Sequence, residues 1–96
     1  MTILHIEHQI NNFDTWKKAF DSDPIGRERS GVRSYQVLRP IDDPNYVMID
    51  LEFDNVKTTE EFLTSLREMW RSAAAAPALV GSPQTHIVEA VESMKY

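Results

Sequence analysis

The chain has 96 residues, with 15 acidic and 10 basic side chains, a net charge of -5 and no cysteine. This length predicts a single domain over residues 1–96, which buries about 65% of the surface that its unfolded chain would expose. The negative charge argues against a general nucleic-acid binder, which needs positive charge to displace phosphate counterions. Without cysteine there is no disulfide framework, thiolate metal site or thiol nucleophile. The N-terminal segment has neither a basic region nor a long apolar run, so we expect no signal peptide, no membrane span and a cytoplasmic location.

The first two predicted elements are a strand and a helix. Residues 2–10 alternate between apolar and polar side chains, which is typical of a strand with one buried face. Asn11 and Asn12 then offer an N-cap to a helix that ends near residues 23–24. Its apolar face is formed by aromatic side chains at helical spacing, namely Phe13, Trp16 and Phe20.

A loop over residues 25–31 leads to two further strands. Residues 32–39 are rich in β-branched and aromatic side chains, and residues 40–45 have the Pro and Asp content of a hairpin connection. The strand over residues 46–54 has two different faces. One face is apolar and requires a core: Val47, Ile49, Leu51 and Phe53. The other combines a phenol and a thioether with two carboxylates: Tyr46, Met48, Asp50 and Glu52.

The last two predicted elements are an amphipathic helix and a strand. Thr58 and Glu61 form a capping box, and the helix continues to about residue 72. Its apolar face consists of Phe62, Leu66, Met69, Trp70 and Ala73. An extension to Ala76 with a break at Pro77 is an alternative that the alanine run leaves open. Gly81 and Pro83 mark the return to a final strand over residues 84–92.

The element order βαββαβ predicts an α+β, ferredoxin-like fold. Two right-handed crossovers give a four-stranded antiparallel sheet of order 4-1-3-2 with both helices on one face. We expect the first strand to run parallel beside the third. The opposite face would carry exposed apolar side chains, and a second copy of the chain is the economical cover for it. The residues expected on that face are Ile3, Tyr35, Val37, Tyr46 and Met48.

This element order, with its polar and aromatic inner sheet face, resembles the dimeric α/β-barrel superfamily and, within it, the antibiotic-biosynthesis-monooxygenase-like proteins. The resemblance spans the whole chain. It implies a homodimer whose sheets enclose a pocket for a hydrophobic, often aromatic, small molecule, with no cofactor. Relatives of this kind carry out cofactor-free oxygenation, lactone isomerisation, polyketide cyclisation or haem degradation. The haem-degrading branch is disfavoured because the first strand has no inward Asn and the second helix has no His.

The candidate catalytic residues are His5 and Asp50, which the predicted sheet places on adjacent strands. A carboxylate in a half-apolar cavity has its pKa raised by desolvation and exchanges a proton near neutral pH. Glu52 is interpreted as a solvated carboxylate instead. The candidate ligand-binding residues share the same predicted cavity: Glu7, Tyr35, Tyr46, Met48 and His86.

The histidines do not predict a metal site. His5 and His8 lie three positions apart on a strand and point to opposite faces, so at most one of them meets His86. His8 is interpreted as a helix-facing or strand-end histidine that bonds to the backbone. His5 shares its face with Glu7, and this pair is either an oriented general base or a solvated pair.

Four arginines, at positions 27, 29, 33 and 39, allow two interpretations. They belong to a solvated loop and edge strand, or they form an anion-steering mouth in which Arg33 or Arg39 binds a ligand carboxylate or phosphate. Two functions therefore remain open. The first is a cofactor-independent monooxygenase or cyclase-like enzyme acting on an aromatic or polyketide-like molecule. The second is a non-catalytic dimer that binds a small molecule or is purely structural.

Overall fold

The computed structural model describes residues 1–71 and 80–96. The predicted order of elements is confirmed, with these bounds: β1 Thr2–Gln9, α1 Phe13–Asp21, β2 Ser34–Leu38, β3 Tyr46–Phe53, α2 Val56–Trp70 and β4 Val80–Glu89. The predicted helix end at about residue 72, the apolar-face residue Ala73, and the alternative extension to Ala76 with a break at Pro77 lie outside the described residues. None of the described helices is long and apolar enough to cross a membrane.

The sheet has the order β2-β3-β1-β4, as the sequence predicts, and every adjacent pair of strands is antiparallel. The expectation that β1 runs parallel beside β3 is wrong. The crossover through α1 makes β1 and β2 point the same way, and the hairpin then reverses β3. The resulting register places His5 directly opposite Asp50 on one side and His86 on the other.

The core lies between the sheet and the two helices. Alternate side chains of β1 and β3 are buried there, which confirms the apolar face predicted for the third strand. Trp16 from α1 and Phe62 from α2 pack onto this layer. The strand residues that contribute most are Leu4, Ile6, Val47, Ile49, Leu51 and Phe53. Because both helices cover this face, the buried apolar side chains of each strand point towards the helices and the alternate side chains point to the opposite face.

Asparagine side chains cap both helices. Asn12 accepts the backbone N–H of Thr15 at 3.0 Å, as predicted for α1. The capping box predicted from Thr58 is wrong, because Asn55 accepts the N–H of Thr58 at 2.8 Å and α2 begins earlier. An asparagine directly before the first turn satisfies the free N–H groups, so Thr58 lies inside the helix.

The boundaries of α1 and β4 also differ from the prediction. After α1 ends, Asp23 takes a left-handed backbone conformation with φ 47°, and this turns the chain into the loop towards β2. β4 starts at Val80 rather than at residue 84, so Gly81 and Pro83 lie within it. β4 is an edge strand, and an edge tolerates proline because one row of N–H groups has no ladder partner.

Candidate functional site

β1 presents one histidine to each face of the sheet. His5 and Glu7 point away from the helices, whereas His8 is 5% exposed and points towards them. This alternation follows from the period of two along a strand. We call the side without helices the open face, and the side that packs against α1 and α2 the helix face.

The open face carries a continuous chain of hydrogen bonds. The Tyr46 hydroxyl donates to Glu7 Oε1 at 2.7 Å. His5 Nε2 lies 2.9 Å from Glu7 Oε2, and His5 Nδ1 lies 2.6 Å from Asp50 Oδ1. Because both partners of the ring are carboxylates, both ring nitrogens act as donors and His5 is an imidazolium. We call these residues, Tyr46, Glu7, His5 and Asp50, the open-face cluster.

The electrostatics of the open-face cluster favour its charged form. The hydrogen bond to Glu7, followed by that to Asp50, raises the pKa of His5 above its ordinary value of 6.5. The bonds from His5 and Tyr46 lower the pKa of Glu7. The same carboxylate raises the pKa of the Tyr46 phenol. An imidazolium held in this way has no free lone pair, so it is suited to donate a proton rather than to accept one.

The open face also contains most of the other predicted ligand-binding residues. Met48 lies opposite Glu7 in the β1–β3 ladder, and the exposed His86 lies opposite His5. Glu52, interpreted as solvated, lies opposite Ile3 and is partly exposed. Within the described part of the chain, no group of three or more acidic, histidine or cysteine side chains is arranged to hold a metal ion.

Tyr35 does not lie where the sequence analysis placed it. It pairs with the buried Leu51, so its side chain points to the helix face, and its ring contacts Phe20 edge-on at 5.1 Å. Val37 pairs with Ile49 and shares this direction. The expected face of both residues is therefore wrong. Tyr35 and Val37 therefore share the apolar face of β3, which is the one covered by helices.

The helix face contains a cavity of about 340 Å³ between the sheet and the helices. Its floor is the apolar surface of β1 and β3, and its walls come from α1, α2 and the loop after α1. The aromatic and thioether side chains that line it are Trp16, Phe20, Phe62, Met69 and Trp70. All five lie on the apolar faces predicted for the two helices, and Trp16 and Phe62 are buried. A volume of this size accommodates a small organic ligand.

His8 is the titratable side chain of β1 in this cavity. Its Nδ1 lies 3.0 Å from the carbonyl oxygen of Gln9, so Nδ1 carries the proton and donates it. Burial lowers the pKa of His8 below 6.5, which keeps the ring neutral. In that tautomer Nε2 is an acceptor, and it makes no hydrogen bond to any residue in the described ranges. The predicted helix-facing, backbone-bonded position of His8 is confirmed, and the cavity beside it is a new observation.

The predicted anion-steering arginines are engaged elsewhere. Arg33 donates to the Asp54 carboxylate at 2.6 Å, and the Arg39 guanidinium lies 4.3 Å from the centre of the Phe13 ring. Neither residue lines the cavity. Arg27 does, together with the loop residue Asp23. The charged part of the cavity wall therefore comes from the loop after α1 rather than from the edge strand.

Comparison with solved structures gives several chains with the same architecture. SnoaB, a cofactor-independent oxygenase from Streptomyces nogalater, superposes with a TM-score of 0.78 at 10% identity, over 99% of this chain and 97% of its own. A Nitrosomonas europaea protein classed with the antibiotic biosynthesis monooxygenases gives 0.73 at 14%, over 96% and 100%. A dimeric ferredoxin-like protein from an uncultured marine organism gives 0.63 at 10%, over 97% of each chain. These likenesses and the strand order show that the fold is ferredoxin-like.

This likeness confirms the resemblance inferred from the sequence at the level of fold. No family model matches the chain, and no curated protein matches its sequence. Identities of 10–14% carry no residue roles from these structures to this one. The ferredoxin-like fold therefore supplies the scaffold, and the chemistry of the cavity and of the open-face cluster must be argued from their own residues.

Proposed function

We propose that the chain is an enzyme that binds a hydrophobic, aromatic small molecule in the helix-face cavity and oxygenates it without a cofactor. The observation that carries this proposal is the apolar cavity of about 340 Å³ with a neutral, buried His8 in its wall. A concave apolar site with a few polar groups and a titratable residue of shifted pKa is the usual form of a small-molecule active site.

The lining favours a flat ligand. The rings of Trp16 and Phe20 are stacked, with centroids 5.0 Å apart and an interplanar angle of 24°. Aromatic side chains contribute large apolar areas and prefer offset or edge contacts with other rings. A fused aromatic ligand satisfies both preferences. The SnoaB similarity supports oxygenation as the type of reaction, since that protein is a cofactor-independent oxygenase with the same fold.

His8 supplies the base that such a reaction needs. Its Nε2 accepts the proton of a phenol, or of a CH₂ group made acidic by a neighbouring carbonyl. The resulting anion transfers electrons to dioxygen, which is the oxidant and second substrate. For an anthrone, one oxygen atom replaces the two hydrogens of the CH₂ group and becomes a ketone oxygen. The other oxygen atom leaves as water with those two hydrogens, so the substrate becomes a quinone.

We further propose that the chain works as a homodimer, with the open faces packed together. These faces carry exposed apolar side chains, including Leu38 at 37% and Val88 at 42% exposure. The charged groups His5, Glu7 and Asp50 already hold hydrogen-bond partners within their own chain, so covering the face leaves none of them buried and unpaired. The dimeric ferredoxin-like neighbour supports this assembly. Light scattering is expected to report twice the mass of one chain.

A second candidate site is the open-face cluster itself. The 2.6 Å contact between His5 and Asp50 favours it, because a short charge-assisted bond orients the ring for proton transfer. In a dimer the two clusters would lie in the space between the sheets. In this alternative His5 is a proton donor, Asp50 orients it, and the substrate occupies the inter-sheet space.

A pair of matched variants on β1 tests which of the two sites carries out the reaction. Oxygen consumption and quinone formation are measured with 1,8-dihydroxyanthrone under air, against the buffer rate. His8→Gln is expected to lower the turnover number by about 10²–10⁴-fold while ligand binding persists. His5→Gln is expected to leave the turnover number within a few-fold of the parent.

If His5→Gln loses turnover and His8→Gln retains it, the reaction takes place on the open face instead. Full activity in both variants would contradict both site assignments. Tight binding of the anthrone with no oxygen consumption in the parent protein would favour the non-catalytic, ligand-binding dimer.

A further inference from the structure

Arg27 has an unusual position in the loop after α1. Its side chain is 17% exposed, and it lines the helix-face cavity beside loop residues that reach the surface. The guanidinium carbon lies 4.0 Å from the centre of the Phe20 ring and 5.0 Å from that of Tyr35. These ring contacts fix the plane of the guanidinium group while leaving its edges available for hydrogen bonds.

One edge of this guanidinium is used within the chain. Arg27 Nη1 donates to the carbonyl oxygen of Phe20 at 2.7 Å and lies 3.6 Å from Asp23 Oδ1. The same Asp23 oxygen accepts the backbone N–H of Arg27 at 2.9 Å. Asp23 is held in its left-handed conformation at this point. The loop therefore anchors Arg27 through its backbone and through Nη1.

The other edge has no such partner. Neither Nε nor Nη2 makes a hydrogen bond to any residue in ranges 1–71 and 80–96. Because no buried side-chain nitrogen or oxygen lacks a partner in the described part of the chain, these two nitrogens are accessible from solvent and available to a ligand. The Nε and Nη2 hydrogens point in parallel and match the two oxygens of a carboxylate. This edge is thus a preformed half of a bidentate ion pair.

We propose that Arg27 selects ligands that carry a carboxylate on their aromatic framework and binds that carboxylate through Nε and Nη2 at the mouth of the cavity. The inference rests on the proposed use of the helix-face cavity as the ligand site and adds the class of ligand. A chain with a net charge of -5 repels anions at long range, so a carboxylate ligand requires a local cationic group of this kind. Because His8 lines the same cavity, the ligand spans the two residues.

The test uses two probes that differ only in the carboxylate, 1,8-dihydroxyanthraquinone and its 3-carboxylate. Dissociation constants are measured by calorimetry for the parent protein, Arg27→Met and Arg29→Met. Arg29 is the matched control, because it lies in the same loop and is exposed, and it does not line the cavity. The parent is expected to bind the carboxylate probe about tenfold or more tightly than the neutral one. Arg27→Met should abolish this preference, and Arg29→Met should retain it.

The outcomes separate this inference from the proposed function. If the parent binds neither probe, the cavity is not the ligand site and the proposed function fails. If the neutral probe binds but the carboxylate gives no advantage, or if Arg29→Met removes the advantage equally, the role of Arg27 is wrong while the cavity stands. Should Arg27→Met not fold, the Nε–H resonance of Arg27 in the parent protein is the second measurement. It is expected to shift on addition of the carboxylate probe and not of the neutral probe, and equal shifts would overturn the inference.

Discussion

The two faces of β1 place the same type of side chain in opposite chemical states. On the open face, His5 lies between two carboxylates and is an imidazolium with both nitrogens engaged. On the helix face, His8 is buried in apolar surroundings and is neutral, with one nitrogen engaged. Proximity to opposite charge stabilises the charged ring, and desolvation stabilises the uncharged one. A base belongs to the second environment, which is why we assign proton abstraction to His8.

The largest expected difference between the faces is in stability. Leu4 is fully buried on the helix face, so Leu4→Ala is expected to lower the free energy of unfolding by about 2–5 kcal/mol. Ile3 is its neighbour on the open face and is only partly buried in the single chain. Ile3→Ala should act mainly by weakening self-association, so its effect on urea unfolding should depend on protein concentration.

Comparison of the two variants at several protein concentrations checks this expectation. Ile3→Ala could instead lower the free energy of unfolding as much as Leu4→Ala does, and equally at every protein concentration. That result would mean that the open face belongs to the core of one chain. No change in self-association would contradict the proposed dimer surface.

A smaller effect is expected in the pH dependence of stability. The pKa of His5 is raised, so its contribution is complete below its ordinary value of 6.5 and is lost as pH rises through the folded value. The pKa of His8 is lowered, so its burial costs stability as pH falls below 6.5. His5→Gln should therefore destabilise the protein most at mildly acidic pH. His8→Gln should remove part of the acid-induced loss.

Urea unfolding at a fixed protein concentration, from about pH 5 to pH 9, measures both trends. Glu7 sets the acid limit of the His5 effect, because its pKa lies below the ordinary 4.5 and the pair loses its charge only as pH falls further. If the free energy of unfolding of the two variants changed with pH in the same way, the two rings would occupy similar environments, and this would contradict the structure.

Much of the fold was predictable because its signals are local. The period of two in β1 and β3 indicates strands, and the helical spacing of the apolar residues around Trp16 and around Phe62 indicates two helices. The resulting order of elements limits the sheet to one arrangement of strands. The capping of α2 was missed because two adjacent segments both offer a cap, and Asn55 stands closer to the first turn. The direction of each strand follows from the number of times the chain reverses before it. The prediction that β1 and β3 are parallel did not count the reversal at the hairpin between β2 and β3.

The site was only partly predictable. Register brought His5, Glu7, Asp50 and Tyr46 together as expected, since cross-strand neighbours follow from strand order. Tyr35 was assigned to the wrong face because β2 is short and its apolar positions had to be matched to the register with β3. The cavity beside His8 depends on how the short α1 and the loop after it pack over the sheet. Residue spacing along the chain does not predict a space left between packed elements.

The most direct test of the proposed ligand site is to observe which face of the sheet contacts the ligand. Nuclear Overhauser effects between bound 1,8-dihydroxyanthraquinone and the protein report that contact at the level of single side chains. If the ligand occupies the helix-face cavity, we expect contacts to Ile6, Trp16 and Met69. Contacts to Ile3 and Met48 on the open face, with none to those three, would contradict it.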